Sequence, residues 1–214
     1  PIHLGASLPP TPGIANPDPQ SAVRCQGLSA RYGDKVVFRD LDWSLGPGQH
    51  CHIAGPNGCG KSTLLDLLTG DNHQAYGQDL WLFGKRRGSG ESVWEIKARF
   101  GRVDSRMQAL VPNGSRVATV VAAGFYDTLV LRQNVGDNQR AAVTGWLEAL
   151  GLAQLAGELF SSLSFGLQRL VLLARAMVKH PRILILDEAT LGLDEGHRRL
   201  LLEAVDHVVA AGNT

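Results

Sequence analysis

The sequence predicts an α/β fold around a largely parallel sheet, and three observations carry that prediction. The short run HCHIA (50–54) leads into the glycine-dense stretch GPNGCGKST (55–63), and leucines at helical spacing follow it. The bare apolar run ILIL (183–186) ends in two acids, Asp187 and Glu188, as a strand covered on both faces would. Between them Val143, Trp146, Leu147 and Leu150 fall at i, i+3, i+4 and i+7, one stripe of an amphipathic helix. Strand, glycine loop, helix and a later buried strand ending in acid form an α/β arrangement.

The elements follow in chain order. Residues 1–20, PIHLGASLPPTPGIANPDPQ, read as an extended proline-rich linker. From Val23 to Asp42 apolar runs alternate with turn residues (Tyr32-Gly33-Asp34), which predicts antiparallel strands. GPGQ (46–49) marks a turn and HCHIA a strand. Leu64, Leu65, Leu67 and Leu68 pack a short helix that Gly70 ends. DLWLF (79–83) predicts a strand, followed by the basic loop GKRRGSG, in which Lys85-Arg86-Arg87 reads as a solvated run. A helical region spans about 91–165. Leu170, Ala174, Met177 and Val178 stripe the next long helix, which Pro181 stops. Leu201, Ala204, Val205 and Val208 line the last helix, expected to end on Gly212 and Asn213. The chain opens on proline rather than methionine, so a piece of a longer polypeptide is expected.

Composition narrows the function classes. A formal net charge of +1 gives no reason to expect a nucleic-acid partner. Cys25, Cys51 and Cys59 have no framework spacing, which favours a reducing compartment. No apolar run reaches the roughly 20 residues that cross a bilayer, so a cytoplasmic chain without membrane insertion is expected. His50 and His52 share a strand face, but no third metal ligand stands in register with them.

Four motifs carry chemistry. Gly55, Gly60, Lys61 and Ser62 fit G-x-x-x-x-G-K-[ST], the phosphate loop of nucleoside-triphosphate-binding proteins. Glycines there let backbone N–H groups turn inward as an anion nest, and the helix start adds its unsatisfied donors. Lys61 supplies a point charge for the β- and γ-phosphates, and the Ser62 hydroxyl suits Mg²⁺. LILDEA (184–189) delivers Asp187 as a magnesium ligand and Glu188 to polarise the attacking water. In SSLSFGLQRL (161–170), Ser164 and Gly166 stand at the start of a long helix. Such a second cluster of N–H donors suits a nucleotide held by another domain.

The order GPNGCGKST, LSFG, LILDEA, LGLD (191–194) resembles the ATP-binding cassette (ABC) ATPases over nearly everything from Val23 onward. The resemblance implies a P-loop NTPase with a RecA-like core, an antiparallel β lobe and an α-helical lobe at about 91–165. It implies ATP and Mg²⁺ as ligands, with the nucleotide sandwiched between two cassettes. Tyr32 matches the aromatic that stacks on adenine. Gly55, Pro56, Asn57, Gly58, Cys59, Gly60, Lys61, Ser62 and Thr63 match the Walker A loop. Ser164 and Gly166 match the signature, Asp187 Walker B, Glu188 the catalytic base and Asp194 the D-loop. The catalytic roles fall to Glu188 and Lys61, and the metal to Ser62 and Asp187.

Departures from the family pattern shape the expected function. Phe165 and Leu167 stand where the signature has glycine and glutamine. Ser105 occupies the Q-loop position, with Gln108 nearby but out of register, which puts coupling to a membrane permease in doubt. The H-loop histidine is not reached, so weak hydrolysis by this stretch alone is expected. SVWEIKARFGRV (92–103), GFYDTL (124–129) and the run from Leu163 to Asp194 resemble the second half of tandem-cassette proteins named as molybdenum-transport ATP-binding or photorepair proteins. Three readings follow: a tandem ABC ATPase linked to molybdate, an ATPase subunit of an importer, and a nucleotide-gated module with little turnover. The expected partner is a second cassette, as a tandem half or a second copy, with a permease in the importer reading and a peripheral location at the inner membrane face.

Overall fold

Val23, Cys25, Leu28 and Ala30 are buried along Val23–Tyr32 (β1), which makes this strand the centre of a sheet. Strand β2 (Lys35–Leu45) pairs with it antiparallel, from Tyr32 opposite Lys35 to Val23 opposite Leu45. Gly33, with φ 57°, supplies the left-handed conformation that the tight turn requires. The computed structural model describes residues 21–210, so the linker expected over 1–20 and the helix end expected at Gly212 and Asn213 lie outside them. The described chain divides between Lys97 and Ala98 into two compact units.

In the first unit, β3 (Asp79–Leu82) pairs with the free side of β1, and β4 (Lys85–Arg86) pairs with β3. The order is β2-β1-β3-β4, antiparallel throughout. Helix α1 (Lys61–Thr69) buries Leu65, Leu67 and Leu68 and ends on Gly70 in the left-handed conformation, as its leucine spacing predicts. Two expectations fail here. Residues 50–54 form no strand, because His50, Cys51 and His52 are exposed and give the segment no apolar face to draw it into a sheet. The basic run is not uniformly solvated either: Arg87 is buried, its guanidinium lying 4.8 Å over the Tyr76 ring. That aromatic face takes the place of water for the cation. Helix α2 (Val93–Ala98) closes this stretch, with Ser92 and Glu95 capping each other at its start.

The second unit carries the parallel pairing. Strand β5 (Phe100–Asp104) runs parallel to β6 (Ile183–Asp187), with Asp104 level with Asp187. Helices α3 (Met107–Leu110), α4 (Val117–Ala122), α5 (Asp137–Ala149), α6 (Phe165–Met177) and α7 (Glu195–Ala210) surround it. The stripes read from the sequence are the buried faces: Val143, Trp146 and Leu147 on α5, Leu201, Ala204 and Val208 on α7. Helix α6 is buried from Arg169 through Met177 and packs against α4, α5, α7 and β5. The parallel sheet has two strands among the described residues. Its β6 is not covered throughout, since Ile185 is 8% exposed but Leu186 40%; cover is lost where the strand opens toward Asp187 and Glu188. No helix among the described residues is long and apolar enough to cross a membrane.

Candidate functional site

The glycine loop in the first unit is shaped by three backbone facts. Gly58 and Gly60 have φ of 80° and 103°, conformations that disfavour any side chain. A Cβ on Gly60 would also stand 2.5 Å from Val37 Cγ1, so the space itself demands glycine. Gly60 is the N-cap of α1 and offers no side-chain cap, which leaves the first N–H groups of the helix to an anion. Lys61 Nζ donates to the carbonyls of Gly55 (2.7 Å) and Pro56 (3.0 Å), arching the side chain back across the loop. Gly55, Pro56, Asn57, Gly58, Cys59 and Ser62 are exposed, with Thr63 half-buried. Tyr32, at the end of β1, is 55% exposed, and its hydroxyl accepts from Asn72 Nδ2 at 3.4 Å. Its ring is open for stacking.

In the second unit the register of β5 and β6 sets two carboxylates side by side. Arg102, two residues before Asp104 and therefore on the same strand face, bridges them. Its Nη2 donates to Asp104 Oδ2 at 3.1 Å and Asp187 Oδ2 at 3.0 Å. Arg106 donates to both Asp104 oxygens, through Nε at 3.1 Å and Nη2 at 2.7 Å. Burial pushes the Asp104 carboxyl upward, but the hydrogen bonds and charges of Arg106 and Arg102 outweigh it and hold the group below its ordinary range. Glu188 follows with φ 51°, a strained conformation for a non-glycine residue and the kind of local strain that gathers at working sites. Ser105, at the Q-loop position, donates its hydroxyl to Glu188 Oε2 at 3.2 Å. The Ser62 hydroxyl in the first unit and the Asp187 carboxylate in the second are each hard oxygen donors of the kind that suits Mg²⁺.

The start of α6 is a third centre. Ser164 is its N-cap, accepting from the Leu167 N–H, and Gly166 is buried behind it. Gln108 Nε2 donates to the Phe165 carbonyl (2.9 Å) and to Gln168 Oε1 (2.8 Å), so the out-of-register glutamine holds this helix start. Arg169 Nη1 donates to the Asp104 carbonyl at 3.2 Å and its Nη2 to that of Leu191 at 3.4 Å. The signature helix is thereby tied to the end of β5 and to LGLD. Arg102, Gln108, Arg169 and His197 are functional-site neighbours that the motifs alone did not reveal. Two of them left a trace: Arg102 stands two residues from Asp104 on a strand, and Gln108 lies beside the Q-loop position but out of register.

Residues 38–191 match the family model described as ABC transporter. The chain belongs to that family. Accordingly it is an ABC-type ATP-binding cassette, and the family binds ATP, generally with Mg²⁺. Cassettes of this family pair with a second cassette and often with membrane permease components. ABC transporter ATP-binding protein ModF of Escherichia coli (strain K12) is 45% identical over 184 residues, 86% of this chain and 38% of that protein. Nod factor export ATP-binding protein I of Rhizobium johnstonii is 31% identical over 90% of this chain and 59% of its own length. The chain thus spans well under two thirds of either relative. Among solved structures, cbiO1 of Clostridium perfringens, part of the ABC transporter complex cbiONQ, superposes with a TM-score of 0.77 over 90% of this chain and 75% of that one. At 22% identity that likeness shows the fold.

Proposed function

We propose that this ABC cassette binds MgATP at the loop 55–63, pairs with a second cassette and hydrolyses the nucleotide by attack of water on the γ-phosphate. The observation that carries the reading is the uncapped start of α1, with Lys61 arched over a loop whose Gly60 admits no side chain. Lys61 and the loop amides hold the phosphates and stabilise developing charge; loss of one such donor lowers rate by about 10²–10³. Tyr32 stacks on adenine. Ser62 and Asp187 hold the magnesium ion, which neutralises phosphate charge when bound. Glu188 orients the water. Ser164 and Gly166 serve the nucleotide of the facing cassette.

Tandem organisation and a link to molybdate are part of this proposal. They rest on the resemblance to the ModF relative, of whose length this chain spans 38%. In this reading the protein is cytoplasmic. A nucleotide-gated module with little turnover is favoured by one observation: Asp187 and Glu188 are already engaged, by Arg102 and Ser105. Measuring MgATP binding and steady-state phosphate release on the full-length protein separates the two. Binding with turnover supports the hydrolase, and binding with none supports the gated module. Co-purification with an integral permease would instead support an importer subunit.

A further inference from the structure

His197, on the first turn of α7, touches two of the family motifs at once. Its backbone N–H donates to Asp194 Oδ1 at 2.9 Å, which caps the helix. Its ring Nδ1 stands 2.6 Å from Asp194 Oδ2, and its Nε2 stands 3.4 Å from Ser164 Oγ. The ring also lies directly over Gly166. A Cβ there would fall 1.9 Å from His197 Cδ2 and 2.1 Å from Cγ, so Gly166 is glycine because this imidazole occupies the place of its side chain.

We propose that His197 is a positioning residue that couples Asp194 of LGLD to Ser164 and Gly166 of the signature. The inference rests on the reading above, in which Ser164 and Gly166 meet the nucleotide of a facing cassette. The chemistry is directional. A carboxylate only accepts hydrogen bonds, and the hydrogen bonds from His197 hold Asp194 below its ordinary carboxyl range. The proton of a neutral ring therefore sits on Nδ1, and Nε2 is left as an acceptor. The Ser164 hydroxyl then donates to Nε2 while its lone pair accepts from the Leu167 N–H. Hydroxyl orientation is thus fixed from Asp194, and a shift of LGLD is felt at the serine that is to meet a γ-phosphate. Helix capping alone explains the contact with Asp194 but not those with Ser164 and Gly166.

Two variants separate the roles. His197→Asn reaches Asp194 but not Ser164, whereas His197→Gln extends as far as Ser164. In the full-length protein carrying Glu188→Gln, MgATP-driven cassette pairing is read by energy transfer between dyes placed on the two cassettes, and nucleotide affinity by a fluorescent ATP analogue. Loss of the neutral hydrogen bond to Ser164 predicts pairing weakened by about fivefold in His197→Ala and in His197→Asn, with recovery in His197→Gln. Nucleotide affinity is expected to change less than about twofold. Ring ¹⁵N resonances supply a second readout: Ser164→Ala shifts Nε2 of His197 in the nucleotide-free protein. Full pairing in His197→Asn, or ring resonances indifferent to Ser164→Ala, overturns the inference. Failure of the Glu188→Gln parent to bind MgATP overturns the functional reading instead, and leaves the resonance shift standing as the mark of the link.

Discussion

Arg102 donates to the Asp187 carboxylate at 3.0 Å, from the strand beside it, and shares the same nitrogen with Asp104 at 3.1 Å. The three side chains are largely buried, at 15% exposure for Arg102 and Asp187 and 8% for Asp104. Two carboxylates level across a parallel pair repel unless a cation lies between them, and Arg102 is that cation. The magnesium ligand of the proposed mechanism therefore already has a counter-charge.

Two opposite effects are expected of Arg102→Gln. Stability falls by about 2 kcal/mol, because Asp187 loses its cation while Asp104 keeps only Arg106; urea unfolding measures it. Divalent-cation affinity of the nucleotide-bound protein rises, because the competing charge is gone. A titration with Mn²⁺ followed by electron paramagnetic resonance reads this directly. Stability and cation affinity falling together would contradict the counter-charge role.

Glu188→Gln is expected to keep ATP binding and to lose turnover by about 10²-fold or more, the range for a positioned base. Ser105→Ala removes only the hydrogen bond to Glu188 Oε2. Its effect on phosphate release is expected to stay within about tenfold, the worth of one hydrogen bond to a charged group. Turnover undiminished in Glu188→Gln would take that residue out of its role.

Gly60→Ala and Gly58→Ala form a matched pair. Both glycines have positive φ, but only Gly60 faces an atom, Val37 Cγ1, within 2.5 Å of its notional Cβ. Left-handed strain of about 1–3 kcal/mol applies to each. Gly60→Ala adds a clash at the first turn of α1. Thermal melts should show the larger loss at Gly60, and equal losses would contradict the packing account.

Burial lowers the His180 pKa below the ordinary 6.5, so the folded chain binds fewer protons than the unfolded chain just below that pH. Stability then rises with pH across the window. The contribution is full above about pH 6.5 and declines as acid drives the pH down through the folded value. Asp104, also depressed, adds a loss of the same sign at lower pH, below its ordinary 3.8. His180 has φ 53°, which asparagine tolerates, so His180→Asn is the informative variant. Melting temperatures at pH 7.5 and 5.5 should differ less in the variant than in the parent. An unchanged difference would exclude His180 as the source.

The sequence made the helices and the chemistry-bearing loops legible because both depend on local information. The stripe through Val143, Trp146 and Leu147 is a helical period, and the glycines before Lys61 announce a loop that opens a helix. Contacts set by strand register were not legible. Nothing local says that Asp104 stands level with Asp187, so Arg102 as the bridging cation had to await the pairing of β5 with β6. His197 was hidden for a similar reason, since it meets Ser164 across 33 residues of chain. HCHIA misled in the other direction: alternation around His50 and His52 looked like a strand, but exposed polar side chains left it without a face to bury.

The most direct test is equilibrium binding of ATP to the full-length protein, with and without magnesium, in the parent and in Lys61→Ala. Magnesium-dependent binding that collapses when Lys61 is replaced is the predicted result. Binding that is absent from the folded parent, or that survives the substitution undiminished, would contradict the assignment of the loop 55–63 as the triphosphate site.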